Sequence, residues 1–317
     1  MNSQELSQRI MSGIVVPAGF PTMPSDWIAS EQQILSTDGK RKLFVLVFSK
    51  GEAFGKKGSK NGHRAVAVLH GMGEHGGRYQ HFTHYLQSNV DTVVCLDHLG
   101  HGRSEGLRGH IDHFDRLTDD AGIFLDFVHA RLKEIHQKSE VHLFAHSLGG
   151  HIGLRLLLKG RKDLASAAIS APFLGLKGKV PAVKAAAAKV LAKIGPWIQL
   201  DTALDVNTIS RDPAVLKAYQ TDRLVHSKMT PGFWDQTLHA IEDTLANTTL
   251  IQAPVEFFIP LADGLIDADV STAYFDRMRA LEKSLKTFPG CHHEIFNDLG
   301  KEKAFSDLNY WIQGHSA

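Results

Sequence analysis

The chain has 317 residues, long enough for one large α/β unit or for a core that carries an insertion. Lys and Arg number 35 against 34 Asp and Glu, a net charge of +1, so global charge gives no reason to expect nucleic acid as a partner. Two cysteines without CxxC spacing are too few for a disulfide framework and favour a cytoplasmic location. No uninterrupted run of about 18 apolar residues occurs, so any membrane contact is expected to be peripheral.

Short apolar runs alternate with longer helical patterns along most of the chain. Eight runs are predicted to be strands: QQILS, KLFVLVFS, AVAVLH, TVVCLD, VHLFAH, SAAISA, VEFFIP and SLKTFP. Five stretches have helical spacing of their apolar residues: 79–88, 117–136, 148–159, 270–282 and 303–313. The alternation predicts an α/β fold with a mostly parallel eight-stranded sheet and helices on both faces. The turn STDGKR joins the first two strands as an antiparallel hairpin.

The regular alternation stops after Pro172, and no clear strand pattern returns before about residue 248. Residues 172–247 are therefore predicted to be an inserted helical cap, or lid, on a core formed by 29–171 and 248–317. The first 28 residues are predicted to be a surface tail, the alternative being a signal peptide.

One helix of the predicted cap has an apolar stripe that ends at Gly195-Pro196. Its members recur with helical spacing: Val180, Val183, Ala187, Val190, Leu191 and Ile194. The stripe can pack against the core beneath it, or it can form an apolar lid over a pocket and contact lipid surfaces. Both interpretations remain open at the level of sequence.

The stretch VHLFAHSLGG predicts a buried strand that turns abruptly into a helix, with Ser147 at the turn. A serine on such a strained turn is the nucleophile of the G-x-S-x-G motif. Ala145 occupies the first glycine position here, and its single methyl is small enough for strand and helix to approach closely. The alternative is that Ser147 is only a helix N-cap.

A serine attacks an ester only if a base removes its proton and a third group orients that base. Asp263 follows the strand VEFFIP, and Asp267 lies one turn later as a second candidate acid. His292 and His293 follow the strand SLKTFP. Serine, acid and histidine thus occur in the chain order of an α/β-hydrolase, each at the carboxyl end of a predicted strand, where open α/β folds bind ligands.

A glycine-rich loop, HGMGEHGGRY, follows the strand AVAVLH. Such a loop can present a backbone N–H to the negative charge that develops on a carbonyl oxygen during attack. We assign this role to the N–H of Met72 and a second donor to Leu148, the residue after the serine.

The same loop satisfies the formal fingerprint of a dinucleotide-binding site. Gly71, Gly73 and Gly76 have G-x-G-x-x-G spacing, and Asp97 ends the next strand. An NAD(P)-dependent oxidoreductase is therefore the alternative from a different class. It leaves the ordered serine, acid and histidine unexplained.

Two further patterns are weaker. His98 with His101, and His110 with His113, have three-residue spacing but no evident third ligand, so we predict neither a metal nor a cofactor. Residues 51–64 contain five basic residues among glycines, which a solvated hairpin loop explains better than a nucleic-acid patch.

Six motifs together resemble the monoacylglycerol lipase and lysophospholipase family of α/β-hydrolases: HGMGEHGGRY, DHLGHGRSEG, AHSLGG, ISRDPAVLKAYQTDRLVH, LADGLID and PGCHHEIFND. They cover roughly Arg64 to the C-terminus. The resemblance implies five site residues: Ser147 as nucleophile, Asp263 as acid, His293 as base, and Met72 and Leu148 as donors to the oxyanion. Two features depart from the family pattern, namely Ala145 and the cap stretch KVPAVKAAAAKVLAKIGPW, which does not align.

The resemblance implies a serine hydrolase that cleaves one fatty acyl ester through an acyl-enzyme on Ser147. We expect the substrate to be a monoacylglycerol, because the predicted cap is apolar and no cationic patch offers a site for phosphate. A lysophospholipase or a general carboxylesterase of the same fold is the alternative. The sequence predicts no oligomeric state.

Overall fold

The computed structural model describes residues 2–55, 62–136, 138–178, 182–202 and 204–316, with the backbone alone for 182–185. Most of the basic loop, 56–61, lies outside the described residues, as does Val180 of the apolar stripe; the side chain of Val183 is likewise not described. No helix in the described ranges is both long and apolar enough to cross a membrane.

The centre of the fold is a sheet of eight strands. They are β1 (Trp27–Leu35), β2 (Lys42–Lys50), β3 (His63–Leu69), β4 (Thr92–Leu96), β5 (Ser139–His146), β6 (Ser166–Ser170), β9 (Val255–Pro260) and β10 (Lys283–Phe288). Their spatial order is β1-β2-β4-β3-β5-β6-β9-β10. Only β2 pairs antiparallel, with β1 and β4, so the predicted mostly parallel sheet and its starting hairpin are confirmed.

The helices are α1 (Ser3–Ser12), α2 (Phe82–Leu86), α3 (Phe114–Ile135), α4 (Leu148–Leu158), α5 (Ala182–Ile194), α6 (Pro213–Thr221), α7 (Pro231–Ala246), α8 (Ala268–Arg277) and α9 (Lys301–Gly314). The helices pack into two separate clusters of buried apolar side chains. Phe124 of α3, Ile152 of α4 and Phe275 of α8 belong to one cluster, whereas Ile10 of α1 and Phe305 of α9 belong to the other. Helices on both faces are therefore confirmed, because the central strands bury both of their faces.

The amino-terminal 28 residues pack more closely than a surface tail. Helix α1 begins with a capping box formed by Asn2 and Glu5, and Ile10 is buried. Strand β1 begins at Trp27, five residues before the predicted run QQILS, because Trp27 and Ala29 alternate inward as on a half-buried edge strand. The predicted boundary at residue 28 thus falls inside a strand.

The chain between β6 and β9 contains helices α5, α6 and α7 and a pair of two-residue strands, β7 (Leu200–Asp201) and β8 (Lys228–Met229). Helices α6 and α7 start with a side-chain cap followed by proline, at Asp212 and Thr230. Two described members of the predicted stripe do not face the core. Val190 and Ile194 are 56% and 71% exposed, while Ala188, outside the stripe, lines the main cavity.

Helix α4 approaches the sheet so closely that only glycine fits at one position. A Cβ on Gly149 would lie 2.2 Å from the carbonyl oxygen of Leu69 at the end of β3. Gly122, in the middle of α3, differs because a Cβ there meets only a side-chain methyl of Leu156, at 3.7 Å. The contact at Gly149 is with a backbone atom, so a change of side-chain rotamer cannot relieve it.

We expect Gly149→Ala to destabilise the protein by about 3 kcal/mol or more, since strand and helix must separate. Gly122→Ala is the matched control and is expected to be neutral or to stabilise by about 1 kcal/mol, because alanine is the better helix former. Urea unfolding monitored by circular dichroism measures both. Equal stability of the two variants would contradict the close approach.

Candidate active site

Ser147 occupies a strained turn between β5 and α4. Its φ of 53° and ψ of −113° lie where residues other than glycine are rare. Three backbone hydrogen bonds hold the turn: Ser147 N–H donates to Ser170 O at 2.9 Å, and Ser147 O accepts from His151 at 3.0 Å and from Phe173 at 2.9 Å. The Ser147 side chain makes no cap hydrogen bond to helix α4. The N-cap alternative therefore does not explain this serine.

Ala145, the departure from the glycine pattern, is accommodated by a glycine on the facing helix. Ala145 is fully buried, and a Cβ on Gly153 of α4 would lie only 3.0 Å from the Ala145 methyl. The methyl therefore fits because α4 carries no side chain opposite it.

Two polar side chains extend from the serine in a line. Nε2 of His293 lies 2.9 Å from Oγ of Ser147, and Nδ1 of His293 lies 2.7 Å from Oδ2 of Asp263. The other carboxylate oxygen of Asp263 accepts hydrogen bonds from the N–H groups of Leu265 and Ile266, at 2.8 and 3.0 Å. The structure thus brings together three predicted residues that are far apart in sequence, and all three are buried.

Burial and pairing act in opposite directions on the two ionisable groups. Burial lowers the pKa of His293, but the Asp263 carboxylate outweighs it and the net pKa is raised. Burial raises the pKa of Asp263, but His293 and the two backbone N–H donors outweigh it and the net pKa is lowered. The neighbouring His146 has a pKa lowered to about 3 by burial and by His293, so it stays neutral beside the pair.

The second candidate acid, Asp267, and the second candidate histidine, His292, make structural contacts and do not join this line. Asp267 caps helix α8 by accepting from the N–H of Asp269 at 3.0 Å. The His292 ring is directed at the carbonyl oxygen of Asn207, 3.1 Å from its Nδ1. Neither contacts Ser147.

The backbone N–H groups of Met72 and Leu148 belong to the two segments that meet at the serine. Met72 belongs to the loop after β3 and lines the cavity with Ser147, and Leu148 begins α4. Neither N–H has an acceptor among the described residues. The N–H of Gly71, by contrast, donates to Oε1 of Glu74 at 2.5 Å, so it is not free to bind a ligand.

A buried ion-pair network not predicted from the sequence supports this loop. Arg78 donates to Glu74 and makes two hydrogen bonds of 2.7 Å to the carboxylate of Glu294, the residue after His293. The guanidinium also stacks over the ring of Tyr219, 4.9 Å from its centroid. The sequence signal for this network is the pair Glu74 and Arg78. These two opposite charges lie four residues apart within a glycine-rich loop.

Ligand atoms of Glu74, His146 and Glu294 lie within 4.8 Å of one another, which is close enough to consider a metal. Both carboxylates are already paired with Arg78, whose guanidinium would repel a cation in the same place. The donor set therefore fits a structural ion pair better than a metal site.

The dinucleotide-binding alternative does not fit the contacts of its loop. Asp97, which would bind a ribose hydroxyl, is buried and accepts from the N–H groups of Gly76 and Arg103, at 2.7 and 2.8 Å. A Cβ on Gly73 would lie 2.3 Å from the carbonyl oxygen of His226, so another segment of the chain covers the loop where a pyrophosphate would lie.

The serine opens onto a cavity of about 490 Å³ beneath the segment between β6 and β9. Apolar side chains line it: Met72, Phe173, Leu176, Leu204, Ile209, Met229, Trp234 and Ile266. Among the described residues, its acidic lining residues are Glu74, Asp201, Asp205 and Glu294, and its one lining lysine is Lys177. The chamber is therefore suited to an uncharged, mostly apolar ligand.

Comparisons with known proteins agree with this geometry. The model of a family described as serine aminopeptidase, S33 (Hydrolase_4) matches residues 60–300. A monoacylglycerol lipase of Mycolicibacterium smegmatis is 31% identical over 80% of this chain and 89% of its own length, and phospholipase YtpA of Bacillus subtilis is 28% identical over 76% and 91%.

The crystal structure of a monoacylglycerol lipase from Paleococcus ferrophilus superposes with a TM-score of 0.70 at 30% identity, covering 81% of this chain and 98% of that one. The similarity in fold thus agrees with the similarity in sequence. The chain belongs to the monoacylglycerol lipase family of α/β-hydrolases.

Proposed function

We propose that this chain hydrolyses monoacylglycerols to glycerol and fatty acid through an acyl-enzyme on Ser147. The observation that carries the proposal is the hydrogen-bonded line from Ser147 through His293 to Asp263 at the floor of an apolar cavity. Similarity to monoacylglycerol lipases supports the choice of substrate.

In the proposed first step, His293 removes the proton from Ser147 as the oxygen attacks the ester carbonyl. Asp263 keeps the Nδ1 proton of His293 in place and stabilises the imidazolium that forms. The same histidine then protonates the departing glycerol and activates the water that releases the fatty acid. Each step transfers one proton through Nε2 of His293, and none requires a cofactor.

We assign the N–H groups of Met72 and Leu148 to the oxyanion. Their freedom from other acceptors supports this role, since a preorganised donor must be unoccupied before reaction. Nδ1 of His70 lies 2.7 Å from the carbonyl oxygen of Gly71, which belongs to the same peptide as the Met72 N–H, and this contact restrains the direction of that N–H.

Residues 172–247 are proposed to be the cap that selects the substrate. Apolar cap residues such as Ile209 and Trp234 suit an acyl chain, whereas the acidic Asp201 and Asp205 disfavour an anionic head group. A lysophospholipase remains the alternative, and the similarity to phospholipase YtpA is the observation in its favour. A general carboxylesterase is the third candidate within the same fold.

We expect kcat/KM for a monoacylglycerol to exceed that for the lysophosphatidylcholine of the same acyl chain by about tenfold or more, because the cavity offers the phosphate little positive charge. Ser147→Ala should reduce hydrolysis of both by about 10⁴-fold or more. Fatty acid release measures the two rates.

Labelling by a fluorophosphonate serves as the control for the site itself. Wild-type protein should be labelled and Ser147→Ala should not. A higher kcat/KM for the lysophospholipid would overturn the substrate, whereas labelling of Ser147→Ala would overturn the nucleophile.

The rate should also depend on pH through His293. Protonated His293 cannot accept the serine proton, so kcat/KM should rise with pH and level off above the raised pKa of His293. In Asp263→Asn the carboxylate that raises this pKa is gone. The acidic limb of the profile should therefore move to lower pH while the plateau falls by about 10⁴-fold.

The matched control is Asp267→Asn, which changes a carboxylate that does not contact the histidine. Its pH profile should equal that of the wild type. An acidic limb of Asp263→Asn that stays in place would contradict the assigned partner.

We further propose that the cap contacts lipid surfaces peripherally. Four large apolar side chains near the end of α5 are substantially exposed: Val190, Ile194, Trp197 and Ile198. Exposed Lys189 and Lys193 flank this patch, and Leu200 next to it lines the cavity. A patch that combines apolar and cationic side chains at the cavity rim suits delivery of a membrane-borne ester.

We expect Ile194→Glu to weaken co-sedimentation with vesicles of phosphatidylcholine and phosphatidylglycerol by about fivefold or more, without changing hydrolysis of a soluble short-chain ester. Leu281→Glu is the control, since Leu281 is 70% exposed but lies outside the cap. Equal loss of binding in both variants would contradict a specific membrane contact.

A further inference from the structure

The loop that carries His293 is hydrogen-bonded to the segment between β6 and β9 and not only to the sheet. The N–H of His293 donates to the carbonyl oxygen of Thr208 at 3.3 Å, and the N–H of Glu294 donates to that of Ile209 at 2.9 Å. The His292 ring meets the carbonyl oxygen of Asn207. Residues 292–294 of the loop therefore each contact one residue of the segment 207–209, which we call the strap.

The strap also lies against the loop that carries Asp263. A Cβ on Gly264 would come within 2.9 Å of Cγ2 of Thr208, so the two segments are in close contact. The strap therefore contacts both loops whose side chains form the His293–Asp263 hydrogen bond.

One buried carboxylate joins the strap to the histidine loop. Asp298 has no exposed surface, and its Oδ2 accepts from the N–H of His292 at 2.8 Å and from Nε of Arg211 at 2.9 Å. Its Oδ1 accepts from the N–H groups of Arg211 and Leu299, at 2.7 and 2.9 Å, with the Ser210 hydroxyl at 3.3 Å. Burial raises the pKa of Asp298, but these donors outweigh it and the net pKa is lowered.

Arg211 completes the junction from the strap side. In addition to the Nε bond to Asp298, Arg211 donates from Nη2 to the carbonyl oxygen of Leu299 at 2.6 Å. Leu299 lies on the far side of the same loop. A guanidinium with several fixed donors holds two chain segments in one relative position, which a single ammonium cannot do.

We propose that Arg211 and Asp298 are positioning residues that set the placement of His293 relative to Ser147. Neither is placed to contact the reacting atoms; both act through the backbone on either side of the histidine. The inference rests on the proposed role of His293 as base, and it makes the cap part of the catalytic machinery as well as a cover for substrate.

Placement matters because proton transfer depends steeply on geometry. A displacement of about 1 Å can cost about 100-fold in rate. His293 lies two residues before a turn of 3₁₀ helix, Ile295–Asn297, and is not itself in a strand or helix. Its main-chain position therefore depends on hydrogen bonds from neighbouring segments, of which Thr208 and Asp298 supply two.

Arg211→Ala is the direct test, because Arg211 has a side chain about one-third exposed and can be removed without leaving a closed cavity. We expect kcat for a short-chain ester to fall by about 10- to 100-fold with little change in KM. The rate constant for fluorophosphonate labelling of Ser147 should fall in parallel. Arg211→Lys keeps the charge and should recover part of both rates.

Arg41→Ala is the matched control. Arg41 binds Asp38 through both Nε and its own backbone N–H, as Arg211 binds Asp298, and its side chain is exposed to a similar extent, 32% against 35%. It lies in the β1–β2 turn. Its rates should match those of the wild type whatever happens to its melting temperature.

Rates are compared per folded protein, determined by circular dichroism at the assay temperature. If Arg211→Ala retains wild-type kcat and labelling rate, or raises KM alone, the positioning role is wrong and the pair serves stability or substrate binding. If wild-type protein is not labelled at Ser147, the proposed function fails first and takes this inference with it. Should Arg211→Ala not fold, Arg211→Lys provides the same kcat-against-KM comparison.

Discussion

The hydrogen bond between His293 and Ser147 depends on a serine that the backbone holds in an unfavourable conformation. A positive φ at a residue other than glycine costs about 1–3 kcal/mol and persists only where the surroundings enforce it. Here the enforcing contacts are the hydrogen bonds to Ser170 and Phe173 and the close approach of Gly149 to β3. Because α4 cannot move from the sheet, the hydroxyl stays raised toward the histidine.

The loops around that serine have little regular structure and are held by ion pairs whose carboxylates are buried. Arg78 links the loop after β3 to Glu294, and Asp298 links the far side of the histidine loop to Arg211. Buried ion pairs contribute little net stability, since desolvation offsets most of their attraction. They do fix geometry, because leaving one member unpaired in the interior is costly. The two pairs thus hold the residues on either side of His293 in the chain, Glu294 through Arg78 and His292 through Asp298.

What could be predicted from the sequence was set by the sheet. Ser147, Asp263 and His293 all follow strands, and parallel strands bring their carboxyl ends to one edge whatever the details of packing. Strand runs such as VHLFAH and VEFFIP are short and mostly apolar, which favours a buried strand. The dinucleotide-binding pattern shows the limit of spacing alone, because Asp97 is consumed by backbone donors that no spacing rule reveals.

The contacts that could not be predicted join segments remote in sequence without periodicity. Thr208 and Ile209 pair with the histidine loop through main-chain atoms, which are the same for every residue type and leave no pattern to detect. Helix α5 is a second case: its stripe has helical spacing, yet Val190 and Ile194 face outward, because amphipathicity identifies a face but not what that face meets. Because the segment between β6 and β9 both borders the cavity and pairs with the loop that carries His293, substitutions in it need not separate into effects on binding and effects on chemistry. With His293 in its proposed role, substrate range and turnover would then change together, since the same strap borders the cavity at Ile209 and accepts a hydrogen bond from His293 at Thr208.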